Sequence, residues 1–226
     1  MEYWQHLLYP LGFLSALPFT ARFLIQWIQS EKAKKSVVNP SFWIFSIFGN
    51  LTLTFHSILQ IQYPVAIIQG LSAVLSYRNL SLMRGNPHQR SFKSVLLALA
   101  AVFFVITALF AAMGSLFYNG QMIWMRSPNF FWEAKPVSFF WHSIGFLGIV
   151  LFNGRFWIQW LQAERKQQSY LSTTFWVTSL VGAALCVLYF YQLGDLVNVI
   201  GPAVGMVTYS RNLMLLKAAP LQSDKV

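Results

Sequence analysis

The chain has 226 residues, of which 56% are hydrophobic and only 10% are charged, and its mean hydropathy is +0.52. Because ordinary soluble domains carry about 25% charged residues, this composition excludes that class and indicates a membrane protein with several spans. The net charge of +10 collects in loops between apolar segments. We therefore interpret it as a topology signal and expect no nucleic-acid partner.

Seven segments are predicted to be membrane-spanning helices, since each offers close to the ~20 apolar residues that a span needs. In chain order they are residues 7–29, 41–61, 64–83, 94–117, 138–162, 173–192 and 195–216. The second and third meet at QIQYP, and the sixth and seventh meet at QLGD, so each pair is predicted to form a tight hairpin. Pro64 and Asp195 suit the start of the helix that follows.

Basic residues in the loops predict the orientation. One side is predicted to hold Lys32, Lys34, Lys35, Arg84, Arg90, Lys93, Arg165, Lys166, Lys217 and Lys225, and the other only Arg126 and Lys135. Since basic loops stay in the cytoplasm, we expect the N-terminus outside it and the C-terminus inside. The N-terminal stretch MEYWQHLLYP lacks the basic region of a signal peptide, so the first apolar segment, 7–29, is predicted to be a retained span.

The chain repeats itself at an offset of 133 residues, the distance from Arg22 to Arg155. ARFLIQWIQSEKAKKS at 21–36 returns as GRFWIQWLQAERKQQS at 154–169, and Arg-Asn-Leu recurs further on at the same offset. Each copy contains three predicted helices, and both copies run the same way because their basic loops match. The fourth span restores the orientation and is predicted to be only a linker.

These patterns predict an all-α, polytopic membrane protein in a 3+1+3 arrangement of parallel repeats. The predicted domains are 1–84 for the first repeat, 85–136 for the linker helix and its loops, and 137–226 for the second repeat. Parallel repeats of this kind are a known transporter plan, used by the SWEET sugar carriers.

The stretches RFLIQWIQSEKAKKS, FW, SIFG and YRNLSLM resemble the lipid-A-disaccharide synthase N-terminal domain family, three-helix membrane units of the PQ-loop and SWEET-like group. The resemblance covers nearly all of each half and implies bacterial lipid A and envelope biology. The resemblance also implies an association with particular enzymes. Units of this family occur fused to lipid A disaccharide synthases, or beside glycosyltransferases that make polyprenyl-phosphate sugars. Ala163 departs from the pattern of the first copy, which has Ser30, so the two copies need not be equivalent.

Two polar helix faces are the predicted substrate-binding site. Each carries an arginine and two glutamines at positions i, i+4 and i+7, which lie on one side of a helix. These residues are Arg22, Gln26 and Gln29 in the first copy and Arg155, Gln159 and Gln162 in the second. A guanidinium inside a span costs free energy and usually faces a cavity; there it can bind phosphate, while amides bind sugar hydroxyls. The alternative is that both arginines extend to lipid headgroups or pair with a local glutamate.

Two arginine–asparagine pairs are further substrate-binding candidates. They are Arg78 with Asn79 and Arg211 with Asn212. Their place near helix C-termini also suits a purely structural role, because cations there complement the helix dipole. A specific version pairs Glu31 with Arg78 and Glu164 with Arg211 as a cytoplasmic gate. The tryptophans Trp27, Trp43, Trp160 and Trp176 are predicted to anchor helices at the membrane interface.

The chemistry of an enzyme finds little support in the residues. The six carboxylates form no paired motif, and the sequence contains no metal-ligand spacing and no glycine-rich phosphate loop. We therefore predict that the chain is not an enzyme and has no catalytic residue, metal or cofactor.

The predicted function is an inner-membrane flippase for a phosphate-bearing lipid-linked sugar, working by alternating access of the two three-helix bundles. The resemblance implies an undecaprenyl-phosphate amino sugar for lipid A modification as its cargo. Another anionic glycolipid is an alternative cargo. Membrane lipids are the other expected partners of the protein. Two alternatives stand beside the flippase: a carrier of small solutes, and a membrane scaffold that anchors a glycosyltransferase.

Overall fold

The computed structural model describes residues 2–84, 91–121, 124–128, 130 and 137–218. The helices are α1 (Glu2–Leu8), a 3₁₀ helix (Tyr9–Ser15), α2 (Ala16–Ala33), α3 (Pro40–Leu59), α4 (Tyr63–Met83), α5 (Phe92–Phe117), α6 (Phe139–Lys166), α7 (Thr173–Gln192) and α8 (Leu196–Ala218). Six of the seven predicted segments each coincide with one helix, from α3 to α8, whereas the first, 7–29, is divided among the end of α1, the 3₁₀ helix and α2. Arg90, Lys135 and Lys225, which the topology prediction used, lie outside the described residues.

Five of the described helical segments are long and apolar enough to cross a membrane: the stretch Trp4–Ala33, α3, α5, α6 and α7. The third helices of the two repeats, α4 and α8, are not among them. Both contribute buried polar side chains to the interior, such as Ser72 and Asn79 in α4 and Asn198 and Asn212 in α8, which lowers their hydropathy. The apolar helices support a membrane protein, and spanning by α4 and α8 stays a prediction.

The two repeats begin and end their helices in the same way. Asn39 and Ser172 occupy equivalent N-caps, where each side-chain oxygen accepts a hydrogen bond from the backbone N–H three residues on. Lys34 and Gln167, again equivalent, end α2 and α6 with φ of 50°. The hairpins form as predicted: α3 and α4 are joined by 60–62, and α7 and α8 by 193–195.

The repeats pack crosswise. The first helix of each copy contacts the third helix of the other, α2 with α8 and α6 with α4, and α5 packs against α4. Residues of both copies share one core cluster, in which Trp43 and Trp176 are fully buried. Their indole N–H groups donate to Ser169 and Ser36 of the opposite repeat at 3.0 and 3.1 Å. The prediction that these two tryptophans are interface anchors is therefore wrong.

We name the two ends of the bundle by their loops. The basic end holds the loops 34–39 and 167–172, after α2 and α6, and the turn end holds the two hairpin turns. Apolar side chains of α5, Leu97 and Phe104 among them, are 71% and 67% exposed. This outward apolar surface suits contact with lipid acyl chains.

Glycines set the closest approach of the first two helices in each repeat. A Cβ at Gly49 would lie 2.6 Å from the Phe19 ring, and one at the equivalent Gly182 would lie 2.4 Å from the backbone nitrogen of Phe152. Backbone cannot move aside as a flexible side chain can. Gly182 is therefore required for α6 and α7 to pack at this distance.

We expect Gly182→Ala to lower the free energy of unfolding by about 1–3 kcal/mol, the usual cost of overpacking, which thermal unfolding in detergent measures. Gly154→Ala is the matched control, because a Cβ there meets nothing within 4 Å and alanine favours the helix. Equal melting temperatures for the two variants would contradict this account of the helix contact.

Candidate functional site

A cavity lies between the two repeats and contains about 750 Å³ of empty space, counting its open mouth. It is lined from both copies, and α4 and α8 contribute residues from their first two turns, so the cavity lies toward the turn end. Arg22 and Arg155 both line it, as predicted from the repeat. No carboxylate is found among the described residues of its wall.

Arg22 is 4% exposed. Its Nη1 donates to the hydroxyl of Ser46 at 2.9 Å, and its Cζ lies 4.5 and 4.6 Å from the ring centroids of Phe23 and Phe19. The Nε is buried and has no hydrogen-bond partner within the described part of the chain. Arg22 is therefore held in place by one hydroxyl and by aromatic rings, of which those of Phe23 and Phe19 are nearest, and its Nε donor has no partner among the described residues.

Arg155 is 1% exposed. Its Cζ lies 3.5 Å from the ring centroid of Phe152 and 4.7 Å from that of Phe156. Both Nε and Nη1 are buried without a partner in the described residues. The Phe156 ring also lies 5.7 Å from Cζ of Arg22, so one ring adjoins both cations.

This arrangement leaves two buried guanidiniums without a countercharge from the described residues. Burying a charge is costly unless it is paired, and rings over a guanidinium return only about 0.5–2 kcal/mol. The unpaired donors of two guanidiniums suit an anion with several acceptor oxygens. Phosphate fits this description, because arginine binds its oxygens through paired, charge-assisted hydrogen bonds.

Four of the predicted binding residues instead tie the repeats together. Gln26 and Asn212 exchange two amide hydrogen bonds, at 2.9 and 3.1 Å, and Gln159 and Asn79 exchange two at 2.7 and 3.0 Å. Each pair is buried, and none of the four lines the cavity. A reciprocal amide pair satisfies donor and acceptor on both sides, so we name these two pairs the amide locks.

The outer glutamines of the polar faces behave differently again. Gln29 and Gln162 are both half-buried, and neither lines the cavity. Of each predicted face, the arginine alone therefore reaches the cavity. The helix i, i+4 and i+7 spacing placed the residues on one side but could not say which element each would meet.

The glutamates at the basic end pair with arginines of the opposite repeat. Arg78 binds Glu164 and Arg211 binds Glu31, each with Nη2 at 2.9 Å from Oε2. The predicted pairing within each repeat is wrong, because α2 packs on α8 and α6 on α4. The Arg78–Glu164 pair is buried, with side chains 4% and 11% exposed, whereas those of the Arg211–Glu31 pair are 42% and 36% exposed.

The turn end contains a polar network that the sequence reasoning missed. Asp195 is fully buried and accepts hydrogen bonds from Tyr9 at 3.0 Å, Gln62 at 2.6 Å and Asn198 at 2.7 Å. Gln62 and Asp195 are separated by the repeat offset, which was the signal available in the sequence. Among the described residues, no three His, Cys, Asp or Glu side chains could hold a metal ion.

Comparison with known families gives one match, made twice. The model of the Lipid A Biosynthesis N-terminal domain matches residues 11–81 and again residues 144–214. These two stretches are the repeats found in the sequence, and the resemblance predicted from their motifs is confirmed. No solved structure matches significantly.

Similar proteins include three named Lipid-A-disaccharide synthase. Those of Chlamydia felis, Chlamydia abortus and Chlamydia pneumoniae are 37%, 38% and 36% identical over 93%, 95% and 93% of this chain. The aligned region is 33%, 34% and 33% of each relative, so the chain spans about a third of their length. The prediction that this chain is not an enzyme is wrong on this finding, since its relatives carry the name of an enzyme.

We expect Arg78→Ala to destabilise the protein more than Arg211→Ala. Removing one partner of a buried pair costs about 3–5 kcal/mol, because Glu164 is left buried with its charge unpaired, whereas water can solvate Glu31. Thermal unfolding of the two variants in one detergent measures the difference. A larger loss for Arg211→Ala would show that the two ion pairs have been ranked wrongly.

Proposed function

Because the chain belongs to the Lipid A Biosynthesis N-terminal domain family, we propose that it binds the phosphate of a lipid-linked sugar between Arg22 and Arg155 and moves that headgroup across the membrane. The observation that carries the proposal is the cavity between the repeats, where two buried guanidiniums have no carboxylate partner among the described residues. Two arginines on facing repeats can grip one phosphate from both sides.

The amides of the cavity wall support a sugar beside the phosphate. The wall carries Asn50, Gln69, Asn153 and Asn198. At the repeat offset these positions hold Ala183, Pro202, Thr20 and Val65, none of them an amide. The arginines are thus symmetric and the amides are not. A phosphate is compatible with a symmetric pair of cations, whereas a sugar with unlike faces needs unlike walls.

The relatives suggest where the cargo comes from. Their name, Lipid-A-disaccharide synthase, favours a phosphorylated glycolipid of lipid A synthesis, and the motif resemblance adds polyprenyl-phosphate amino sugars. Both cargoes combine a phosphate with a sugar. The protein would then lie in the bacterial inner membrane, with the basic end and the C-terminus in the cytoplasm and the N-terminus in the periplasm.

Movement of the headgroup requires that the two ends of the cavity open in turn. In this structure the amide locks and the crossed ion pairs join helices at the basic end, and the network around Asp195 joins them at the turn end. We propose these contacts as the gates of the two ends. All three are polar contacts, many of them between the repeats, and can be exchanged for water or headgroup. Rocking of the two bundles would break one set while the other stays closed, and the lipid tail would remain in the bilayer.

A second candidate is a membrane unit that holds a glycolipid for an attached or neighbouring glycosyltransferase. The observation that favours it is the alignment of this chain with about a third of much longer synthases. It predicts co-purification with such an enzyme and ligand binding without translocation. A carrier of small solutes instead predicts uptake of free sugar that does not depend on Arg22 or Arg155.

We expect Arg22→Ala and Arg155→Ala, each alone, to reduce headgroup translocation in reconstituted vesicles about tenfold or more, since one charge-assisted phosphate contact is worth at least 1.5 kcal/mol or so. The assay follows access of a membrane-impermeant reagent to a phosphorylated glycolipid. Arg84→Ala, at an exposed arginine, is the control. Unchanged translocation by folded variants would refute the transport proposal.

A further inference from the structure

The cavity carries more positive charge than the described residues around it neutralise. Three carboxylates have side chains that the structure describes, and all are engaged elsewhere. Glu31 and Glu164 bind Arg211 and Arg78 at the basic end, and Asp195 accepts hydrogen bonds in the network at the turn end. Arg22 and Arg155 therefore leave two positive charges without a countercharge from the described residues.

The aromatic rings do not replace a countercharge. Phe19 and Phe23 lie against Arg22, and Phe152 against Arg155, which compensates part of the lost hydration. Phe156 adjoins both guanidiniums, so the two like charges are held near one another and repel. An anion between them relieves both costs, and it relieves them fully only if it carries two charges.

Resting on the proposed phosphate site, we infer that the natural headgroup carries two negative charges: a phosphomonoester, or a diphosphate that joins sugar and lipid. A phosphomonoester holds about −1.5 to −2 charges at neutral pH, because its second pKa is about 6. A phosphodiester carries a single negative charge throughout the neutral pH range. The charge count thus favours monoester and diphosphate glycolipids over sugars joined to a lipid by a single phosphodiester, and therefore over the polyprenyl-phosphate amino sugars that the motif resemblance suggests.

Hydrogen-bond capacity agrees with the charge count. Arg155 has two unpaired buried donors and Arg22 has one. A monoester offers three terminal oxygens, and a diphosphate bridge four unesterified ones, whereas a phosphodiester offers only two. Two separate guanidiniums can each take acceptor oxygens from a dianion without competing for the same atom.

The test compares three probes that share a dodecyl tail and glucosamine. In the first the sugar carries a phosphomonoester, in the second a phosphodiester joins sugar and tail, and in the third a diphosphate joins them. Calorimetric titration of the full chain in detergent gives the affinities. We expect the monoester and the diphosphate to bind about tenfold or more tightly than the diester at neutral pH. Monoester affinity should fall as the pH drops through about 6, while diester affinity stays level.

Removing one cation should remove the preference. In Arg155→Gln the cavity keeps a single charge and an amide, so the diester should bind about as well as the dianions do. Arg84→Gln, at an exposed site, should keep the wild-type preference. If Arg155→Gln fails to fold, Arg22→Gln serves the same purpose, and the pH dependence of the wild-type protein decides the question independently.

The outcomes separate this inference from the proposed function. Equal or tighter binding of the diester by the wild-type protein, with binding still lost in Arg22→Ala, would overturn the dianion and leave the phosphate site standing. Binding of none of the three probes, or binding that no arginine variant changes, would overturn the phosphate site itself. A preference for the monoester alone or for the diphosphate alone identifies which dianion is the cargo.

Discussion

The crossed arginine–glutamate pairs are the interaction on which the remaining structure depends. Glu31 and Glu164 sit at the ends of the first helices of their repeats, and each binds the arginine on the third helix of the opposite copy. These contacts join the repeats and use up both glutamates of the polar stripes. Arg22 and Arg155, about two turns earlier on the same helices, then line the cavity without a carboxylate partner among the described residues. The proposed anion site depends on this division of the described carboxylates between the two ends of the bundle.

Symmetry between the repeats is close in the contacts that hold the helices together and is broken in the wall of the cavity. Five features recur at the offset of 133 residues, which is also the separation of Gln62 and Asp195. They are the helix caps, the helix ends, the glycine contacts, the amide locks and the two cavity arginines. The amides of the cavity wall do not recur. The ion pairs also differ, since the Arg78 pair is buried and the Arg211 pair half-exposed. The half-exposed pair is the one that water can enter more readily.

The relationship to synthases bears on how the membrane unit is used. The relatives align with this chain over about a third of their own length, so a membrane unit of this kind and a synthase name occur together in them. Holding the phosphate of a lipid-linked sugar in a cavity between helices is compatible both with moving the headgroup and with delivering it to an enzyme. Under the proposal the same two arginines would serve either use, because both require recognition of the same phosphate.

The sequence alone determined the helical segments, the repeat and the special place of the arginines. Apolar runs set the helices, and an offset shared by Arg22 and Arg155 made two cavity-facing cations the economical interpretation. The motifs of the repeat also identified the family, which the family comparison confirms. These features depend on composition and on the spacing of residues along the chain, both of which can be read directly from the sequence.

Only the tertiary structure decided the partners. Gln26 and Gln159 share a helix face with the arginines, yet they close amide locks with Asn212 and Asn79 instead of lining the cavity. The spacing of residues in the sequence does not distinguish whether Glu31 pairs with Arg78 or with Arg211. In the structure it pairs with Arg211, because α2 packs against α8. Spacing along a helix fixes the direction of a side chain, but the neighbour it meets depends on which helices pack together, and here they pack across the repeats.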